Sequence, residues 1–341
     1  MAEGQARTGG RRAVGKDRLR RVRCPGWGAS TGVRSLTLRA LLSRRLVFVT
    51  GKGGVGKSAV AAALARLAAG EGKRVLACEM DDKGSLAAYL GRDDLTFSPV
   101  EVSPNLYAMA MNTEDSLREY IRLFLRVPVL GSLTPLARIF DFVANAAPAV
   151  KEILAVGKLC YEVRERHYDI VIVDSEASGH FVAQVSAPDA LATLVRIGIV
   201  ADQTKWMSNL LHDPEVSTVL AVVTPEEMPV VETIELRDRL ATATPIDFAG
   251  VLVNRMPAAL VDAELLATVA PTSGHLATSV QVGEWLSERR SNAELHARRL
   301  ADALELGNVE TIAEAPAGTH SPERITDHLV GEMRRILDEH A

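Results

Sequence analysis

Apolar residues along this chain gather in short runs separated by longer segments in which apolar and polar positions recur at helical spacing. The runs at 46–50, 74–80, 105–111, 169–174, 219–224, 250–254 and 308–313 read as strands, because they are brief, rich in β-branched residues and bounded by turn formers. Strands that alternate with helices predict an α/β fold with a mainly parallel, twisted sheet covered by helices on both faces. One interval is too long for a simple crossover. Between 112 and 167 the text "SLREYIRLFLRV", "LARIFDFVANA" and "VKEILAVGKLCYEVRERH" reads as helices broken at Pro128, Pro135 and Pro148, a helical insertion with an apolar bias. At the C-terminus, Ile325, Leu329, Met333 and Ile336 fall on one helical stripe, which predicts a helix packed on the sheet.

The first junction carries the chemistry. "LVFVTGKGGVGKSAVAAALARL" places Gly51, Gly56, Lys57 and Ser58 in the pattern G-x-x-x-x-G-K-[ST], between an apolar run and an Ala/Leu-rich helical segment. Gly51, Gly53, Gly54 and Gly56 lack Cβ atoms, so the backbone N–H groups from Gly51 through Val55 to Ala59 can converge on phosphate oxygens at a helix N-terminus. Lys57 would reach the β- and γ-phosphates and Ser58 would ligate Mg²⁺. The chain therefore reads as a P-loop protein. Asp174, at the end of "YDIVIVD", is the expected metal carboxylate, acting directly or through water. Asn254, at the end of "GVLVN", sits where α/β sheets place ligands and offers an amide that can both donate to and accept from adenine. Pro316, after the last strand, is a second candidate against the base. No N-K-x-D guanine signature occurs, which favours ATP.

Composition narrows the function. Residues 1–45 hold 12 Lys and Arg against two acids, and the rest of the chain carries a net charge of −14. An acidic body is poor material for binding nucleic acid, whose affinity comes from neutralised phosphates. The basic arm, 1–45, reads as disordered. A nucleic-acid or membrane arm, a transit peptide and a translation start placed too far upstream all remain open for it. No apolar run approaches the length of a membrane span. Cys24, Cys78 and Cys160 are far apart, which argues for a reducing, cytoplasmic setting and against a zinc or disulfide framework.

Lys52 is the extra residue in the loop. The form G-K-G-G-x-G-K-[ST] resembles the deviant Walker A loop of the dimeric ATPases that include MinD, ParA, nitrogenase iron protein and the ArsA-type ATPases. Within that group the chain is most similar to the ArsA and tail-anchored-protein-targeting branch, in its bacterial "anion-transporting ATPase" form. "GKGGVGKS", "VIVDSEASGH", "VVTPEEMPVVETIEL" and "GVLVNR" carry the likeness over residues 46–337. The resemblance implies an Mg-ATP-dependent ATPase domain at 46–341 working as a homodimer or as a heterodimer with a paralogue. Lys52 would then reach the partner's phosphates. Asp81, with Asp82 as its neighbour and competitor, falls where the branch carries the aspartate that orients attacking water and approaches Mg²⁺. The apolar insertion is the expected surface for a client or membrane-protein partner, with helical packing as the plainer account. Two loops depart from the family: D-P-A-H-N has become "DDKGS", and the proline of T-A-P-T-G-H has become Ala177. Slow or partner-dependent turnover is expected, and a nucleotide-gated switch with little catalysis is the alternative. A partition ATPase on DNA is a third reading, opposed by the acidic body.

Overall fold

The computed structural model describes residues 37–80, 84–120, 148–194, 197–259, 275–307 and 309–339. Among them lie eight strands: β1 (Leu46–Gly51), β2 (Val75–Glu79), β3 (Val100–Ser103), β4 (Leu106–Ala110), β5 (Ile170–Ala177), β6 (Ser217–Val223), β7 (Asp247–Met256) and β8 (Glu310–Ala313). They form one sheet in the order β3-β4-β2-β5-β1-β6-β7-β8. Every pairing is parallel except β3 with β4, which closes one edge as an antiparallel ribbon. The inner strands β1, β2 and β6 are buried along their whole length because both sheet faces are covered.

The helices are α1 (Leu38–Leu42), α2 (Lys57–Gly70), α3 (Ser85–Tyr89), α4 (Thr113–Tyr120), α5 (Pro148–Arg164), α6 (Ser178–Leu194), α7 (Ile199–His212), α8 (Glu227–Ala243), α9 (His275–Ala303) and α10 (Pro322–Glu339). Alternation along β1 shows how the two faces divide. Val47 and Val49 join the cluster that holds α2, α3, α1 and α10, whereas Leu46 and Phe48 join the cluster built with α5, α6 and α7. Farther along the second face, Val223, Val251 and Val253 pack under Val230 of α8 and Ala293, Ala297 and Leu300 of α9. The parallel α/β sheet covered on both faces is the architecture expected from the runs of apolar residues.

Three details differ from expectation. The boundary of the body at 46 is too late: Leu38, Leu41 and Leu42 of α1 are buried in the main core, and Thr37 Oγ1 caps the helix by accepting from the Ala40 N–H. Residues 1–36 of the basic arm lie outside the described residues. Helix α10 packs principally on α2, with β8 and α3 beside it, and is tied there by an Arg66–Asp327 ion pair at 2.8 Å. Its apolar stripe buries Leu329, Met333 and Ile336 as the spacing predicted, with Leu337 and Thr326 added. Finally, β5 does not stop at Asp174 but continues to Ala177, and α6 begins at the next residue. Proline lacks the N–H of a ladder residue, and Ala177 in its place pairs with Gly51.

Of the insertion at 112–167, α4 and α5 are described, and residues 121–147 are not. The two helices are joined by Lys158, which donates to Glu119 Oε1 at 2.8 Å and contacts Glu162 Oε1 at 2.7 Å. His167 Nδ1 lies 2.7 Å from the other oxygen of Glu162.

Candidate active site

The C-terminal ends of β1, β2 and β5 meet above the sheet, and the turn from β1 into α2 covers them. Gly51 enters that turn at φ +148 with its Cα almost touching β6: a Cβ there would meet the Val222 carbonyl oxygen at 2.2 Å. Gly56 closes the turn as the left-handed N-cap of α2 at φ +97, and a Cβ there would meet Asn254 Nδ2 at 2.5 Å. Both glycines are required by the protein's own packing. Gly53 and Gly54 are different. A Cβ at either would meet no protein atom within 4 Å. Their bareness leaves backbone exposed to a cavity of about 340 Å³, lined among others by Gly53, Gly54, Gly56, Lys57, Ser58 and Asp174. The turn thus offers a cradle that a phosphate would fill.

Two contacts fix its shape. Val55 is buried in the core below the loop, and its carbonyl accepts from Asn254 Nδ2 at 2.8 Å. Lys57 Nζ donates to the Lys52 carbonyl at 3.3 Å, spanning the loop from inside. Asn254 is 4% exposed and its Oδ1 accepts from the Arg255 N–H at 3.0 Å. The structure therefore places this amide, expected at the base, against the loop itself. Ala59 turns its methyl into the core.

The carboxylates gather at the strand ends. Asp174 is 5% exposed, lines the cavity, and is the register partner of Glu79 on β2. Its carbonyl accepts from the Met80 N–H at 3.0 Å. Ser58, in the first turn of α2, lines the same cavity. Ser58 and Asp174 are hard oxygen donors, of the kind that suits Mg²⁺. Asp81 and Asp82 lie outside the described residues. Glu176 also lines the cavity and accepts from Gln184 Nε2 at 3.0 Å. His180 of the S-E-A-S-G-H stretch is 81% exposed at the start of α6, 3.9 Å from Glu176.

Lys52 points away from the cavity. Its Nζ pairs with Glu232 Oε1 of α8 at 2.7 Å, both side chains about one-third exposed. A second cavity, of about 630 Å³, adjoins the first through Arg255 and is lined by Pro257, Trp285, His296 and Glu314. Arg255 adopts a left-handed φ of 59, unusual for a residue with a Cβ, which turns it out of β7 between the two cavities. Pro316 is exposed in the turn after β8 and lines neither. Glu79, Glu176 and Arg255 were not singled out from the sequence. Glu79 ends an apolar run with an acid, which is the one signal that pointed to it.

Comparison with known proteins agrees with this geometry. Residues 44–204 match the family described as anion-transporting ATPase. The chain is 29% identical over 237 residues to the ATPase BagA of Mycobacterium tuberculosis, covering 66% of this chain and 69% of that protein. It is 25% identical over 272 residues to the ATPase ASNA1 homolog of Babesia bovis, covering 68% of this chain and 71% of that one. The corresponding protein of Entamoeba dispar is 24% identical over 258 residues, 62% and 76% of the two chains.

Proposed function

Because residues 44–204 match the anion-transporting ATPase family and make this chain a relative of the ArsA-type enzymes, we infer that it is an ATP hydrolase acting as an Mg-ATP-dependent dimer. One observation carries the reading: Gly53 and Gly54 leave an open, phosphate-sized cradle over a cavity that also holds Lys57, Ser58 and Asp174.

The loop N–H groups and the N-terminus of α2 attract the phosphate oxygens. Lys57, which donates to the Lys52 carbonyl at 3.3 Å, reaches from there to the β- and γ-phosphates, where a charge-assisted hydrogen bond forms. Bound beside Ser58 and Asp174, Mg²⁺ would neutralise charge that develops on the leaving diphosphate. Asp81 accepts a hydrogen bond from water and orients it in line with the γ-phosphate. The base occupies the adjoining cavity beyond Arg255, and Asn254 serves it indirectly by holding Val55 and Gly56. Lys52 leaves Glu232 to stabilise the transferring phosphoryl group of the partner subunit, a charge supplied in trans. Opening and closing of the dimer acts on a protein or membrane-associated partner in the cytoplasm, through the insertion at 112–167. Among the described residues no helix is long and apolar enough to cross a membrane. Phosphate release from the purified chain, compared with Lys57→Ala, tests the assignment. Equal rates for the two, with and without a paralogous subunit, would refute it.

A nucleotide-gated switch with little catalysis is the second reading, and the direct join of β5 to α6 favours it. Without a flexible loop at Ala177 and Ser178, hydrolysis has less room to move this segment. A dimer whose lifetime is the same in the wild type and in Asp81→Asn would support the switch.

A further inference from the structure

Glu79 is a carboxylate where the fold has little reason to keep one. It ends β2 after four apolar residues, is 2% exposed, and lines the phosphate cavity with Lys57, Ser58 and Asp174. Its Oε1 accepts from the Ser85 N–H at 2.8 Å, so it joins the end of β2 to the start of α3. A neutral side chain would accept that hydrogen bond with a smaller desolvation cost. Asp174 is its register partner on the neighbouring parallel strand, which puts two carboxylates side by side on one face with strands about 4.8 Å apart. Ser58 lines the same cavity, so three oxygen-bearing side chains face one space, a donor set that suits a doubly charged ion with a preference for oxygen.

We propose that Glu79 is a third oxygen donor of the metal–nucleotide site, holding a divalent cation or its bound water beside Ser58 and Asp174 while it keeps α3 in place. The proposal rests on the ATPase reading and extends it to a residue outside the P-loop. Metal loading is then felt by α3, which reaches α10 through the Thr326 Oγ1 bond to the Tyr89 carbonyl at 2.9 Å.

Binding of Mn²⁺ to the ADP-loaded full chain, followed by electron paramagnetic resonance, tests this without turnover. Glu79→Gln keeps an acceptor for Ser85 and removes the charge. The expected result is Mn²⁺ affinity about tenfold weaker, as for the control Asp174→Asn, with metal-free ADP affinity retained. Affinity within about twofold of wild type in Glu79→Gln, while Asp174→Asn is impaired, would overturn the proposal and leave the ATPase reading standing. No ADP binding by the wild type would overturn both. Should Glu79→Gln fail to fold, Glu79→Asp keeps the charge but shortens its reach. Wild-type Mn²⁺ affinity in that variant would count against the role, and a partial loss would support it.

Discussion

Lys52 and Glu232 form a 2.7 Å ion pair that ties the nucleotide loop to α8 within one subunit. On the proposed trans role, Lys52 must first give up this contact, so the pair would set a threshold for dimer closure. Its side chains are about one-third exposed, and such a pair contributes about 0.2–1 kcal/mol. Glu232→Gln should therefore tighten ATP-dependent dimerisation by up to about fivefold, with the gain shrinking as salt rises. Sedimentation at several ionic strengths reads this directly. Lys52→Ala should abolish ATP-dependent dimerisation.

Gly56 and Asn254 should behave as a coupled pair. Gly56→Ala forces a left-handed φ and drives a methyl into Asn254 Nδ2, so about 1–3 kcal/mol of stability and most nucleotide affinity should be lost. Asn254→Ala leaves the Val55 carbonyl without its donor, at about 1–3 kcal/mol. The double variant should lose less than the sum, because the truncated Asn254 makes room for the methyl. Urea denaturation of the four proteins checks the cycle, and strict additivity would show that the contact is not what constrains Gly56.

The Lys158 network should define the alkaline limit of stability. Burial alone would lower the Lys158 pKa, but hydrogen bonds to Glu119 and Glu162 and their charges outweigh it and leave the ammonium above its ordinary 10.5. A folded-state pKa raised in this way contributes stability that is complete below about pH 10.5 and falls as pH rises through the folded value. Unfolding free energy should thus show no Lys158 contribution to its pH slope between pH 7 and pH 9, and a Lys158-dependent decline should appear above pH 10.5. Lys158→Ala removes the ammonium from the buried Glu162 carboxylate, which keeps His167 beside its other oxygen, and should cost up to about 3–5 kcal/mol at neutral pH.

Helix α1 should matter to the whole body. Leu41 is 1% exposed in the main core, and Leu41→Ala should cost about 2–5 kcal/mol by thermal or urea denaturation. A change below about 0.5 kcal/mol, the level of a surface position, would mean that the body begins later.

Most of the seven apolar runs were legible because they form strands buried on both faces, which need no polar alternation. β3 was not: Val100–Ser103 alternates half-buried with exposed residues and pairs on one side only, so its signal is that of any short polar segment. The loop glycines, Lys57 and Ser58 could be named from their spacing between a strand and a helix, and Asp174 from its place at the end of an apolar run; the structure brings Gly53, Gly54, Gly56, Lys57, Ser58 and Asp174 to one cavity. Arg255 could not, since its place between the cavities follows from one backbone angle. Asn254 could be named but its bond to the Val55 carbonyl could not, because a strand-end amide facing a ligand and one facing a loop carbonyl look identical in one dimension. Helix α10 was read onto the sheet, and it does meet β8 and share a core with the strands, but its main contact is α2; periodicity reports a buried face and not all that covers it.

The sheet order has a consequence for any attempt to shorten the protein. β1, which launches the phosphate loop, is flanked on one side by β6, and the loop's clamp comes from β7; both strands follow residue 204, where the family match ends. A fragment cut there would expose one flank of its own central strand as a naked edge, with an unpinned loop above it and a tendency to self-associate. Nucleotide capture here belongs to the closed circuit of early and late strands, and cannot be excised with the stretch that makes it recognisable.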